Sequence, residues 1–166
     1  MAKIYVVGAV GSGKTTFAKK LSEDLNIPYY ELDEICWKPE GAGKRNPEEI
    51  ESLFFEVLNC ESWIIENIGS DFDKGFEEAD TIIYLDISKS VVHRRIWWRA
   101  IKRSLGIEKS PFKNNIKNAK NEIEWSNKEI DKKRKLNKLQ EYKEKLEVLN
   151  EKQVKKYKYN QRNRML

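Results

Sequence analysis

The sequence predicts an α/β fold built on a parallel sheet, and three observations carry that expectation. Short apolar runs at Lys3 to Val7, Trp63 to Ile65 and Thr81 to Asp86 are continuous rather than alternating, as strands covered on both faces require. Between them lie segments whose apolar residues recur at helical spacing. The first run also leads straight into Gly8-Ala9-Val10-Gly11-Ser12-Gly13-Lys14-Thr15, which matches Gly, four residues, Gly-Lys-Thr and opens onto a helix.

Each part of that loop has a physical task. Glycines let successive backbone N–H groups curl around a phosphate with no Cβ in the way. Lys14 is placed to reach the β- and γ-phosphates, and the Thr15 hydroxyl to serve Mg²⁺. The helix N-terminus behind them already favours an anion through its dipole and unpaired N–H groups. Gly8, Gly11, Ser12, Gly13, Lys14, Thr15 and Thr16 are therefore candidate contacts to ATP, and Lys14 is also a candidate catalytic group.

With 166 residues, 39% of them hydrophobic, the chain suits one domain with a core of its own. Cys36 and Cys60 lack CxxC spacing and His93 is the single histidine, so no cysteine- or histidine-based metal cluster is expected. A reduced, cytoplasmic setting fits best. No stretch approaches the roughly 20 apolar residues of a membrane span. Charge is split between the halves: residues 1–86 hold 8 Lys and Arg against 18 Asp and Glu, and residues 87–166 hold 24 against 9. A basic half of this kind suits a bound triphosphate, and nucleic acid is the other polyanion it admits.

Taken in order, the first helix runs from Thr15 to Leu25, with Phe17, Ala18, Leu21 and Leu25 on one face, Asn26 as a left-handed cap and Pro28 as a stop. A second strand at Tyr29 to Leu32 delivers Asp33 and Glu34 to the sheet's carboxyl end, where open parallel sheets keep their ligands. Asp33 there can orient or deprotonate an acceptor hydroxyl, hold Mg²⁺ through water, or simply cap a turn. Trp37 to Arg45 reads as a glycine-bearing loop in which Trp37 either stacks on a base or ribose or seals a core edge, and Lys44 with Arg45 either grips an acceptor phosphate or is solvated. Asn46-Pro47-Glu48-Glu49 starts the next helix with a capping residue and an N1 proline; Ile50, Leu53, Phe54, Val57 and Leu58 form its buried stripe.

The third strand, Trp63 to Ile65, ends in Glu66-Asn67, and an acid beside the loop strand is a candidate metal-orienting group. Gly69 to Asp73 is expected as a loop and Phe72 to Ala79 as a short helix. The fourth strand closes on Asp86, a rival of Glu66 for the metal. Ser88 is expected to cap a helix from Lys89 to Leu105 that Gly106 ends. On it Arg95, Arg99 and Lys102 share an arc of roughly 60°, while Val91, Trp98, Ile101 and Leu105 gather on another. Lys109 to Lys113, with Ser110-Pro111 inside it, breaks the pattern like a lid hinge. Asn114 to Lys143 is polar and lysine-rich, with Ile116, Ala119, Ile123, Ile130, Leu136 and Leu139 as sparse apolar positions, and long amphipathic helices fit it better than disorder. Leu146 to Leu149 reads either as a fifth strand before a helix from Glu151 to Tyr159 or as part of one long helix. The tail from Asn160 is expected to fray.

On these segments the chain resembles the adenylate-kinase-like P-loop kinases, and within them the small bacterial DNA topology modulation proteins. The resemblance rests on Gly8 to Thr15, Leu32-Asp33-Glu34-Ile35-Cys36-Trp37-Lys38-Pro39, Trp63-Ile64-Ile65-Glu66, and Ala79 to Asp86 with the Arg-rich helix after it. It implies a three-layer P-loop NTPase fold, a five-stranded parallel sheet in order 2-3-1-4-5 and a basic helical lid at about 106–140. It implies an ATP- and Mg²⁺-dependent kinase acting on a small acceptor, with Arg95 stacked on the base and Arg99 on the phosphates. Relatives continue the third strand with Asp-Gly-Asn-Tyr, where this chain has Glu66-Asn67-Ile68-Gly69, and carry arginines in the lid where this chain has lysines.

Overall fold

A computed structural model of the chain describes residues 1–39, 42–67, 73–108, 115–129 and 138–159. Strands β1 (Lys3–Gly8), β2 (Tyr29–Glu31), β3 (Trp63–Asn67), β4 (Thr81–Leu85) and β5 (Leu146–Leu149) form one sheet in the order β2-β3-β1-β4-β5. All four pairings are parallel. Both the strand count and the implied order 2-3-1-4-5 are as expected.

Helices α1 (Lys14–Leu25), α2 (Leu32–Cys36), α3 (Pro47–Leu58), α4 (Asp73–Glu78), α5 (Lys89–Ser104), α6 (Asn115–Glu129) and α7 (Glu151–Lys156) are described between and after the strands. The sheet has a core on each face, which is why its strands read as unbroken apolar runs. Ile4 and Val6 of β1 face Phe17, Ala18 and Leu21 of α1, Val92, Ile96 and Ala100 of α5 and Ala119 of α6. Tyr5 and Val7 point the other way, to Leu32 and Ile35, the α3 stripe and Phe76 of α4. Alternation along β1 thus builds a three-layer sandwich from a strand with no polar side.

Local signals explain most boundaries. Asn26 adopts φ 54°, ψ 47° and closes α1. The Asn46 side chain accepts from the Glu49 N–H and Pro47 occupies the first turn of α3. Leu146 to Leu149 pairs with β4 from Ile82 through Leu85, so it is a strand and not part of a long helix. Asn150 then starts α7 with a reciprocal capping box to Gln153.

Several expectations change in detail. β2 stops at Glu31, and Leu32 to Cys36 coils into α2, because Leu32 and Ile35 at helical spacing both reach the core. Asp33 therefore lies in the first turn of a helix and not at a strand end. Ser88 occupies the cap position of α5 but its side chain makes no capping bond; instead its backbone N–H donates to Glu151 Oε1 at 2.8 Å. The arc of Val91, Trp98, Ile101 and Leu105, for which no burial was expected, is largely exposed, and α5 packs through Val92, Ile96 and Ala100. Finally, α5, α7, α4 and β4 end at Ser104, Lys156, Glu78 and Leu85, short of Leu105, Tyr159, Ala79 and Asp86, while β3 runs on to Asn67 and α1 starts one residue early at Lys14. The expectations for Gly69 in its loop, Phe72, the 109–113 hinge, Asn114, Ile130, Leu136 and the tail from Asn160 fall outside the described residues.

Candidate active site

The site grows from the end of β1. Gly11 and Gly13 take φ 77° and 94°, values that a side chain disfavours. A Cβ on Gly11 would sit 2.9 Å from Ile96 Cγ1, and one on Gly13 would sit 3.2 Å from Arg95 Nη1. Helix α5 is therefore pressed against the loop, and glycine is needed there for space as well as for conformation. The Ser12 N–H donates to the Ala9 carbonyl at 3.1 Å and the Phe17 N–H to the Gly13 carbonyl at 3.0 Å, joining the curl to α1.

Lys14 is buried and its Nζ donates to the Ala9 carbonyl at 3.1 Å. Thr15 is half-buried on the first turn of α1, and Thr16 is exposed beside it. Glu66 faces this group from the neighbouring strand, level with Val6 of β1 and Glu31 of β2. It is 7% exposed, and its Oε2 has no hydrogen-bond partner among the described residues. Burial raises its pKa, and the Glu31 and Asp33 carboxylates add to the rise, while the Lys14 ammonium and the Thr15 hydroxyl oppose it. Ser12 Oγ is likewise buried and has no hydrogen-bond partner among the described residues. Buried orphan oxygens beside a lysine and a threonine hydroxyl are the arrangement that a phosphate-bound divalent cation and its waters would satisfy. The residues present thus fit ATP with Mg²⁺: loop N–H groups and Lys14 for phosphate, Thr15 and Glu66 for the ion.

Among the described residues no cluster of three or more His, Cys, Asp or Glu could hold a metal unaided. Asp86 lies beyond β4, where its N–H donates to the Leu149 carbonyl at 2.9 Å. The groups acting on the Glu66 carboxyl are Lys14, Glu31, Asp33 and Thr15. Asp33 is exposed but close enough to act on Glu66, so the structure brings it to the same end of the sheet by way of α2.

The two arginines part company. Arg95 reaches the loop, its Nη1 donating to the Ser12 carbonyl. Arg99, one turn further along α5, pairs with Glu122 of α6. Trp37 is 53% exposed on a small antiparallel bridge to Lys44, and Arg45 pairs with Glu49 at 2.7 Å. Sequence reasoning missed Glu31 and Glu122. Their signal is pairing across the sheet and across two helices, and no spacing along the chain reveals it.

No protein-family model matches the chain. It is 40% identical over 62 residues to a shikimate kinase of Aquifex aeolicus, spanning 37% of that protein. It is 25% identical over 111 residues to the shikimate kinase of a Sulfurihydrogenibium species, spanning 58% of this chain and 67% of the relative. Among solved structures, a shikimate kinase from Bacteroides thetaiotaomicron superimposes with a TM-score of 0.54 at 18% identity, over 93% of this chain and 92% of that one. A gluconokinase from Sinorhizobium meliloti gives a TM-score of 0.54 at 16% identity, over 90% and 82%. With the strand order and the loop, these likenesses make the fold that of the P-loop kinases.

Proposed function

We propose that the chain is an ATP-dependent kinase that transfers the γ-phosphate to a hydroxyl of a small acceptor. The observation that carries this reading is Glu66: a buried carboxylate with an orphan oxygen, one strand from the glycine loop and under the influence of Lys14 and Thr15. A loop that merely filled a turn would have no use for a charge in that position. The acceptor oxygen attacks the γ-phosphorus, the bond to the ADP oxygen breaks, and the acceptor proton passes to Asp33 or to water. Lys14 and the loop N–H groups hold the phosphates in line, Arg95 covers the base end and Arg99 meets transferring phosphate. Mg²⁺, when bound, supplies charge neutralisation across the phosphates.

Kinship within the fold is proposed to lie with the DNA topology modulation proteins, on the segment Leu32 to Pro39 and the Arg-rich α5. Free Cys36 and Cys60 support a cytoplasmic setting. The relatives carry the names of shikimate and gluconate kinases, which favours a small polyhydroxylated acid as acceptor beside the nucleotides and nucleosides that an adenylate-kinase-like fold suggests. The residues about 106–140, of which α6 is described, are proposed as the lid over this site.

The test is ADP release with Mg²⁺ over a panel of nucleoside monophosphates, nucleosides, shikimate and gluconate. Acceptor-dependent ADP release from one class is expected. ATP binding with no acceptor-dependent release from any class would instead make the protein a silent nucleotide binder.

A further inference from the structure

Helix α5 has an outer face that extends beyond the proposed phosphate site. Its inner side is small and aliphatic, and its outer side is aromatic and basic. At 100° per residue, Trp97 and Trp98 lie on either side of an arc that Ile101 and Arg94 fill. Trp97 is 37%, Trp98 60% and Ile101 44% exposed. Together with Arg95, these side chains line an open groove of about 590 Å³. Past Trp98 the same helix turns to Lys102, Arg95 and Arg99, a basic flank that runs up to the glycine loop.

Large apolar side chains left in water at such density call for an occupant. Helix α5 carries six Lys and Arg and no acidic residue along its 16 positions. A second copy of this chain would set one arginine-bearing face against another, which like charge opposes. A lipid surface is flat, whereas this is a groove between two indoles. The chemistry complementary to both features is a polyanion with flat apolar groups at regular intervals.

We infer that the groove of Arg94, Arg95, Trp97, Trp98 and Ile101 is a docking site for single-stranded nucleic acid, with phosphates along the basic flank and bases stacked on the two indoles. Sequence-tolerant binding follows, since every base offers a π-face and, among the described residues, no acidic or amide side chain lines the groove to read base edges. The groove adjoins the proposed ATP site and shares Arg95 with it, but its probe is an oligonucleotide, and neither ATP nor an acceptor is needed.

The experiment is a fluorescence-anisotropy titration of labelled 12-nucleotide oligo-dT and oligo-rU into the full chain at 50 and 200 mM salt, repeated with Trp97→Ala/Trp98→Ala and Arg94→Gln. Both variants change exposed side chains, and circular dichroism melting checks that they fold. Wild type is expected to bind both oligonucleotides, weakening roughly 10- to 20-fold between the two salt concentrations if about three phosphates are neutralised. The double tryptophan variant is expected to bind at least about tenfold more weakly. The inference is overturned if wild type binds neither oligonucleotide at 50 mM salt, or if the folded double tryptophan variant binds like wild type. Binding to phosphatidylglycerol vesicles without binding to oligonucleotide would also overturn it, as would a dimer that the tryptophan changes dissolve.

Discussion

The carboxyl edge of the sheet and the outer face of α5 lie within reach of the same arginine, yet they are built on opposite terms. At the sheet edge the main polar groups are held by the fold itself: the loop by two positive-φ glycines, Glu66 by strand register, Lys14 by burial. On α5 the charged and aromatic groups stand on the exposed side of a helix that packs inward through Val92, Ile96 and Ala100. The first region is preorganised for one chemistry at one point. The second is an adaptable surface. Substitutions should therefore act sharply and locally at the sheet edge, and gradually on the helix.

The largest expected effect is at the loop. Lys14→Ala should lower kcat/KM by about 10³-fold or more, on the order of 4 kcal/mol of transition-state stabilisation, while the melting temperature moves little. Steady-state ADP release with calorimetric melting checks both, and loss of the fold together with activity would assign Lys14 to structure. Next is Arg95→Ala with Arg99→Ala, for which ATP affinity should fall roughly 30- to 1,000-fold. Separating the two sharpens the contrast. Arg95 already touches the loop, and Arg99 must leave Glu122 to reach a phosphate, so Arg95→Ala alone should account for most of the loss in affinity.

A change in the scaffold should show the reverse pattern. A Cβ on Gly75 of α4 would lie 2.4 Å from Tyr5 Cε2 and 3.0 Å from Phe54 Cζ. Overpacking of that kind costs about 1–3 kcal/mol, so Gly75→Ala should melt roughly 2–12 °C lower, with ATP affinity intact in the folded protein. Parallel melting and titration test it, and equal loss in both would tie the second core to the site.

Legibility in the sequence followed the same division. The glycine loop, Asn26, the Asn46-Pro47 start and the continuous strands were readable because backbone geometry dictates those residue types. β5 was ambiguous because Leu146 to Leu149 is too short for periodicity to choose between helix and strand; pairing with β4 decides it. Helix α5 has two apolar arcs, and only packing against the loop shows that the smaller one, Val92, Ile96 and Ala100, faces in. Asp33 reached the site by a helical turn that Leu32 and Ile35 impose, a tertiary effect. Glu122 was unreadable as the partner of Arg99, 23 residues away on another helix.

The smallest expected effect is a trade between function and stability at Glu66. Its pKa is raised in the fold by burial, so it favours the fold at low pH, and that contribution is lost as pH rises through the folded value. At neutral pH the buried charge is a cost. Glu66→Gln should therefore melt a few degrees above wild type at pH 7, with the gap closing below about pH 4, where the unfolded carboxyl is also protonated. It should at the same time weaken Mg²⁺-dependent turnover more than Asp86→Asn does. Rates across Mg²⁺ concentrations decide the ranking, and the reverse order would move the metal role to Asp86.

The central claim, that the carboxyl edge of the sheet is a Mg²⁺-ATP site, is tested most directly by isothermal titration of ATP into the wild-type chain with and without Mg²⁺. Binding at micromolar strength, tightened by Mg²⁺ and matched by ADP, is the predicted result. No binding of ATP up to millimolar concentration, with or without Mg²⁺, by a protein that melts cooperatively would contradict it.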